Sequence, residues 1–124
     1  DYFDHLEIYI ENVESMLVFC KGLGVEYINI LQPHVVFKQK KNENEKKFTL
    51  LNYRNEIVKQ LYEIVKNKAN TNNYIKNNFF DSTLIFENNE EQIFTDDVHF
   101  VRANNKGRGY NILADFISSK VKLQ

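Results

Sequence analysis

The sequence predicts an α/β domain in which parallel strands are flanked by helices. Two short segments rich in β-branched and aromatic residues alternate with three segments of helical period, and glycine follows the first helix. Two strands cannot make a stable parallel sheet alone, because both faces and both edges need cover. The chain also begins at Asp1 rather than Met. We therefore expect residues 1–124 to be the C-terminal half of a single doubly wound domain.

The first helix is predicted between Phe3 and Cys20. Its apolar residues recur at alternating intervals of three and four, the period of a helix with one buried stripe. The predicted stripe is Phe3, Leu6, Ile10, Val13, Leu17 and Cys20, widened by Ile8, Tyr9, Met16 and Val18. Gly22 and Gly24 then predict the helix C-terminus.

The first strand is predicted from Val25 to Leu31, and Pro33 ends it. A second helix should begin at a cap formed by Asn42 or Asn44 and continue to Lys68. Its inward face is predicted to comprise Phe48, Leu51, Val58, Leu61 and Val65.

The second strand is predicted from Phe79 to Thr83, and the last helix from Lys106 to Val121. Asn104 or Asn105 would cap that helix. Its predicted inward residues are Tyr110, Leu113, Phe116, Ile117 and Val121.

The charge balance excludes several classes of partner. The net charge is −1, with 16 basic and 17 acidic side chains, so nothing favours nucleic acid or an anionic membrane. The basic run Lys38, Lys40 and Lys41 is offset by Glu43 and Glu45, which predicts a solvated loop. Acidic residues interrupt the apolar N-terminal stretch, so no membrane span is predicted. The cellular location and the oligomeric state stay open.

Asp96 and His99 are the candidate catalytic pair. A carboxylate three residues before an imidazole can accept a hydrogen bond from its Nδ1–H, which leaves Nε2 as a base. The alternative is an Asp that closes the turn beside a half-exposed His. His34 follows the first strand at its C-terminal end, where open α/β sheets bind ligands. It could line a substrate pocket or be a structural loop histidine.

A metal site formed by His34, Asp96 and His99 would have suitable ligand types. No dense His/Cys spacing supports one, and no glycine-rich phosphate loop is present, so we expect no metal and no cofactor.

Residues 93–117 read IFTDDVHFVRANNKGRGYNILADFI and resemble the last block of the SGNH/GDSL hydrolase family. The similar features are Asp-x-x-His in a turn, a link to Gly107, and an apolar helix with Ala114 and Asp115. Upstream, CKGLGVEYINILQPHVVFK and FFDSTLIFENNEEQIFTDDVH are similar to the family's strand segments. The link between His99 and Gly107 is longer here than in the family, which places Arg102 near the pocket. For Arg102, a surface role is favoured over contact with the substrate.

The resemblance implies a three-layer α/β/α flavodoxin-like fold and a serine esterase of a carboxylic ester, with a glycan O-acetyl ester as one substrate class. Asp96 would be the triad acid and His99 the triad base. The family's Gly-Asp-Ser nucleophile block and its oxyanion glycine and asparagine would lie upstream of Asp1, so the chain alone should be inactive. The alternatives are an acyltransferase on the same scaffold and a catalytically inactive α/β module.

Overall fold

The computed structural model describes residues 2–49, 52–102 and 107–121, without the side chains of residues 2, 3, 48, 52 and 53. The elements, in chain order, are helix α1 (Tyr2–Gly22), strand β1 (Asn29–Leu31), a 3-10 helix (Val35–Phe37), helices α2 (Glu43–Phe48) and α3 (Asn52–Thr71), strand β2 (Phe79–Asp81) and helix α4 (Gly109–Lys120).

Helix and strand are mixed, and helix dominates. The chain is 52% helical, and the named strands of the described part are two short parallel strands that pair as one sheet. The chain divides into two compact units, Asp1–Ile30 with Gln60–Phe80, and Leu31–Lys59 with Asp81–Gln124. None of the described helices is both long and apolar enough to span a bilayer.

Helix α1 confirms the predicted first helix and its narrow apolar stripe. Ile10 and Val13 are buried, and Leu6, Leu17 and Cys20 are half-buried along the same face. The predicted widening of the stripe is wrong for three residues, because Ile8, Met16 and Val18 are 47–67% exposed. Gly24 ends the helical region with φ +70, a conformation that glycine adopts without a steric penalty.

Both strands are shorter than predicted. Residues 25–28 carry no regular structure, and Val25 is 55% exposed, so the strand begins only at Asn29. Strand β2 likewise ends at Asp81, where Thr83 amide and hydroxyl both donate to the Asp81 carboxylate. The strands are short because a segment stays extended only where a neighbouring strand provides hydrogen-bond partners for its backbone amides and carbonyls.

The predicted second helix is in fact two helices. Asn42 caps α2 as expected, in a capping box with Glu45. The helix ends because the Thr49 amide and hydroxyl both donate to the carbonyl of Lys46. Along α3, Val65 is buried and Val58 and Leu61 are half-buried. Leu51 and the side chain of Phe48 lie outside the described residues.

Helix α4 begins at Gly109, three residues later than predicted, after an Arg108 cap without a side-chain hydrogen bond. The predicted caps Asn104 and Asn105 lie outside the described residues, as does Lys106. Tyr110 was expected to face inward, but it is 53% exposed.

The core of the second unit is aromatic. Phe86, Phe94 and Phe100 stack edge to face with ring centroids 5.2–5.6 Å apart. Val35 and Ile93 complete the cluster, and three half-buried side chains pack against it: Ile85, Ile112 and Leu113. This core supports the segment that carries Asp96 and His99.

Candidate functional site

Asp96 and His99 lie on the loop of a short hairpin. Phe94 and Phe100 form an antiparallel bridge, and the Val101 amide donates to the Ile93 carbonyl at 2.8 Å. The loop is closed by the Thr95 amide, which donates to the His99 carbonyl at 2.8 Å. The phenylalanines on either side of the loop are 0% and 6% exposed, so the loop stands on a buried base.

The Asp96 carboxylate has two tasks. Its Oδ1 accepts the amides of Val98, at 3.0 Å, and His99, at 2.8 Å, which closes the turn. Its Oδ2 lies 2.8 Å from His99 Nδ1. Since an ionised carboxylate only accepts, Nδ1 carries the proton, and Nε2 is the basic nitrogen of the neutral ring. Asp96 can therefore close the turn with one carboxylate oxygen and orient the His99 ring with the other.

These contacts stabilise the ionised carboxylate. The His99 amide, the Val98 amide and the His99 ring together lower the pKa of Asp96 to about 2. The two side chains are nevertheless open to solvent, with exposed fractions of 73% for His99 and 55% for Asp96. Asp96 is therefore ionised at neutral pH, and the His99 ring is accessible from solvent.

His34 lies close to this loop, in the half-buried segment that leads into the 3-10 helix. The Val35 amide donates to the Asp97 carbonyl at 2.8 Å, and Gln32 Nε2 donates to the Val98 carbonyl at 3.4 Å. Burial lowers the pKa of His34, although the negative charges of Asp97 and Asp96 act in the opposite direction. The segment that carries His34 therefore packs against the loop that carries His99.

His34 also has a local structural task. Its Nδ1 accepts the Val36 amide at 3.1 Å and so caps the 3-10 helix. A ring nitrogen that accepts a hydrogen bond is unprotonated, so the proton of the neutral ring is on Nε2.

The segment after the hairpin requires glycine. A Cβ at Gly107 would lie 2.2 Å from the Val101 carbonyl oxygen, and one at Gly109 would lie 2.9 Å from Phe100 Cγ. Helix α4 can therefore begin directly against the hairpin. Arg102 is exposed, as predicted. Ala103–Lys106, most of the link, lie outside the described residues.

Three of the four serines donate hydrogen bonds to backbone carbonyls. Ser82 is buried and donates to the Leu31 carbonyl at 2.5 Å. Ser15 and Ser119 donate to backbone carbonyls of their own helices. In the part of the chain that the structure describes, no three metal-binding side chains cluster together.

The prediction of a solvated loop around Lys38 and Glu45 is wrong for both residues. Their side chains are fully buried and form an ion pair at 2.5 Å. The spacing of Asn42 and Glu45 in the sequence does indicate a capping box. Nothing near Lys38 in the sequence predicts its burial, because its partners come from other segments.

No protein-family model, curated protein or solved structure matches this chain.

Proposed function

We propose that this chain supplies the acid and the base of a Ser-His-Asp triad in an SGNH-type hydrolase of carboxylic esters. The observation that carries the proposal is the 2.8 Å hydrogen bond between Asp96 Oδ2 and His99 Nδ1 on an exposed loop. The complete domain would have a three-layer α/β/α flavodoxin-like fold, and the parallel pair β1–β2 would be part of its central sheet.

The proposed mechanism uses the tautomer that Asp96 selects. A serine from the upstream half attacks the ester carbonyl while His99 Nε2 takes its proton, and Asp96 stabilises the imidazolium that forms. His99 then returns the proton to the leaving alcohol, which completes the acyl-enzyme. Water enters second in a hydrolase, whereas a sugar hydroxyl enters second in an acyltransferase on the same scaffold. A glycan O-acetyl ester is the substrate class that we propose.

The first experiment is ester hydrolysis by the full-length protein. Its reading frame should encode a Gly-Asp-Ser block upstream of Asp1. We expect His99→Ala to lower kcat for p-nitrophenyl acetate by about a thousandfold or more, because the general base is lost. The matched control is His5→Ala on the exposed face of α1, which should leave kcat unchanged. Full turnover by the His99 variant would reject the role of His99.

The second experiment tests His34 as a substrate-binding residue. His34→Asn keeps a side-chain acceptor for the Val36 amide, so the 3-10 helix retains its cap. We expect KM to rise while kcat changes by less than about twofold, which is the signature of lost ground-state binding. An unchanged KM would leave His34 with the capping task alone.

A further inference from the structure

Glu45 forms an unusually complete set of hydrogen bonds for a buried carboxylate. Its Oε1 accepts the backbone amides of Ile93, at 2.8 Å, and Phe94, at 3.0 Å. Its Oε2 accepts Lys38 Nζ at 2.5 Å and the Asn42 amide at 3.1 Å. Burial alone would raise the pKa of Glu45, but the hydrogen bonds from Lys38 and the three amides outweigh it and lower the pKa.

Lys38 completes the arrangement from the other side. Its side chain is as buried as that of Glu45, and its Nζ also donates to the Glu91 carbonyl at 2.5 Å. The ion pair therefore connects three segments of the second unit: the residues after the 3-10 helix, the start of α2, and residues 91–94.

Residues 93 and 94 are the base of the hairpin that carries the candidate pair. The next residue is Thr95, whose amide closes the loop on His99. Successive amides of a flat strand point to opposite sides, so two of them can meet one carboxylate oxygen only where the chain bends. Glu45 therefore contacts the hairpin at a bend in its base.

The hairpin needs such external support. A two-stranded hairpin is marginally stable by itself in water, and the described residues of this one form one antiparallel bridge, between Phe94 and Phe100. Its loop side chains are exposed, so they gain little from packing.

We infer that Glu45 is a positioning residue: its carboxylate, held by Lys38, orients the hairpin base and thereby the Asp96–His99 pair. The catalytic meaning of this inference rests on the proposed function, whereas the positioning itself does not.

The test uses two double variants of the 124-residue chain that differ only in the acceptor at position 45. Lys38→Met with Glu45→Gln removes both charges but keeps an amide oxygen for the Ile93 and Phe94 amides. Lys38→Met with Glu45→Met removes both charges and the acceptor. Replacement of a buried ion pair by apolar residues is often neutral for stability, so the Met–Met variant can fold.

Two nuclear magnetic resonance signals report the geometry of the loop. These are the nitrogen chemical shifts of the His99 ring, which distinguish the Nδ1–H tautomer from the Nε2–H tautomer, and the carboxyl titration of Asp96, whose pKa is lowered to about 2. We expect the Glu45→Gln double variant to keep both signals. In the Glu45→Met double variant the ring shifts should move towards a mixture of the two tautomers, and the Asp96 pKa should rise by about one pH unit as its donors move away.

The control for general destabilisation is Ser82→Ala, which removes a buried hydrogen bond without touching the hairpin base. It should leave both signals unchanged. If the Glu45→Met double variant does not fold, Glu45→Asp serves instead, because its shorter carboxylate withdraws from the two amides and keeps its charge beside Lys38. Wild-type signals in whichever of these two variants folds would overturn the inference.

The full-length protein separates this inference from the proposed function. With p-nitrophenyl acetate, the Glu45→Met double variant should lose at least about tenfold in kcat with KM unchanged, and the Glu45→Gln double variant should restore it. Altered signals in a protein without esterase activity would reject the hydrolase and support positioning by Glu45. Unaltered signals in an active esterase would reject only the positioning.

Discussion

Two acid–base pairs of the second unit have opposite surroundings. Lys38 and Glu45 are fully buried, with Nζ 2.5 Å from Oε2. His99 and Asp96 have a similar contact, at 2.8 Å, but their side chains are 73% and 55% exposed. The buried pair joins its own two segments to residues 91–94, whereas the hydrogen bonds described for the Asp96 carboxylate come from Val98 and His99 of its own turn.

The difference in burial separates a pair that stabilises the fold from a pair whose side chains are accessible to solvent. A buried charge without its partner is strongly destabilising, so Lys38 and Glu45 are structurally obligatory to each other. Exposed pairs contribute little to stability, because water competes for both ions. The Asp96–His99 pair is therefore open to solvent and available for the role that we propose, whereas the buried pair joins the segments around it.

The largest expected effect is that of Glu45→Met alone. It leaves the Lys38 ammonium buried without its carboxylate, and we expect a loss of about 3–5 kcal/mol in the free energy of unfolding. Urea denaturation followed by circular dichroism measures it. Adding Lys38→Met should recover a substantial part of the loss; if the double variant is no more stable than the single one, the buried pair is not the coupled unit described here.

A smaller effect is expected where α4 meets the hairpin. Gly109→Ala places a Cβ about 2.9 Å from Phe100 Cγ and 3.1 Å from Ile93 Cγ2. Such overpacking should lower the free energy of unfolding by about 1–3 kcal/mol. Gly22→Ala is the matched control, since no atom lies within 4 Å of its added Cβ. Equal stability of the two variants in thermal unfolding would contradict the close approach.

Asp96 should add only a small, pH-dependent contribution. Its pKa in the folded chain, about 2, lies below the ordinary value of 3.8. The contribution is therefore present above about pH 4 and is lost as the pH falls towards 2. Solvent screening keeps it below about 1 kcal/mol. Comparison of Asp96→Asn with the unchanged chain by urea denaturation should give a difference at pH 7 that shrinks as the pH falls from about 4 to 2.

His99 should contribute least to stability of all these residues. Its ring is mostly exposed, so His99→Ala should change the free energy of unfolding by less than about 0.5 kcal/mol. Under the proposed function, the same variant should lower kcat by about a thousandfold or more. A large destabilisation, measured in the same denaturation series, would mean that the exposed pair also holds the fold, and the contrast with the buried pair would fail.

Local patterns predicted the first helix, the Asn42 cap and one side-chain pair. The stripe through Ile10 and Val13 follows from the helical period, and the Asn42 cap from the chemistry of orphan amides. The hydrogen bond between Asp96 and His99 was also predictable, because three residues separate them and a turn brings them together. The catalytic roles of both residues stay predictions, as does the flavodoxin-like arrangement of the complete sheet.

The lengths of the strands and the burial of Lys38 were not predictable from the sequence. Strand β1 is short because its pairing with β2 is short, and that pairing joins residues about fifty positions apart. The contact of Glu45 with Ile93 likewise spans 48 positions. A residue's local composition carries no information about a neighbour so distant in the chain.

By itself, then, the sequence determined what depends on a few consecutive residues: helical faces, caps, and the turn that joins a carboxylate to an imidazole. Only the tertiary structure decided which charges leave water. Burial of a charge depends on whether distant segments supply donors and acceptors for it, and Lys38 and Glu45 meet that condition only after the chain has folded.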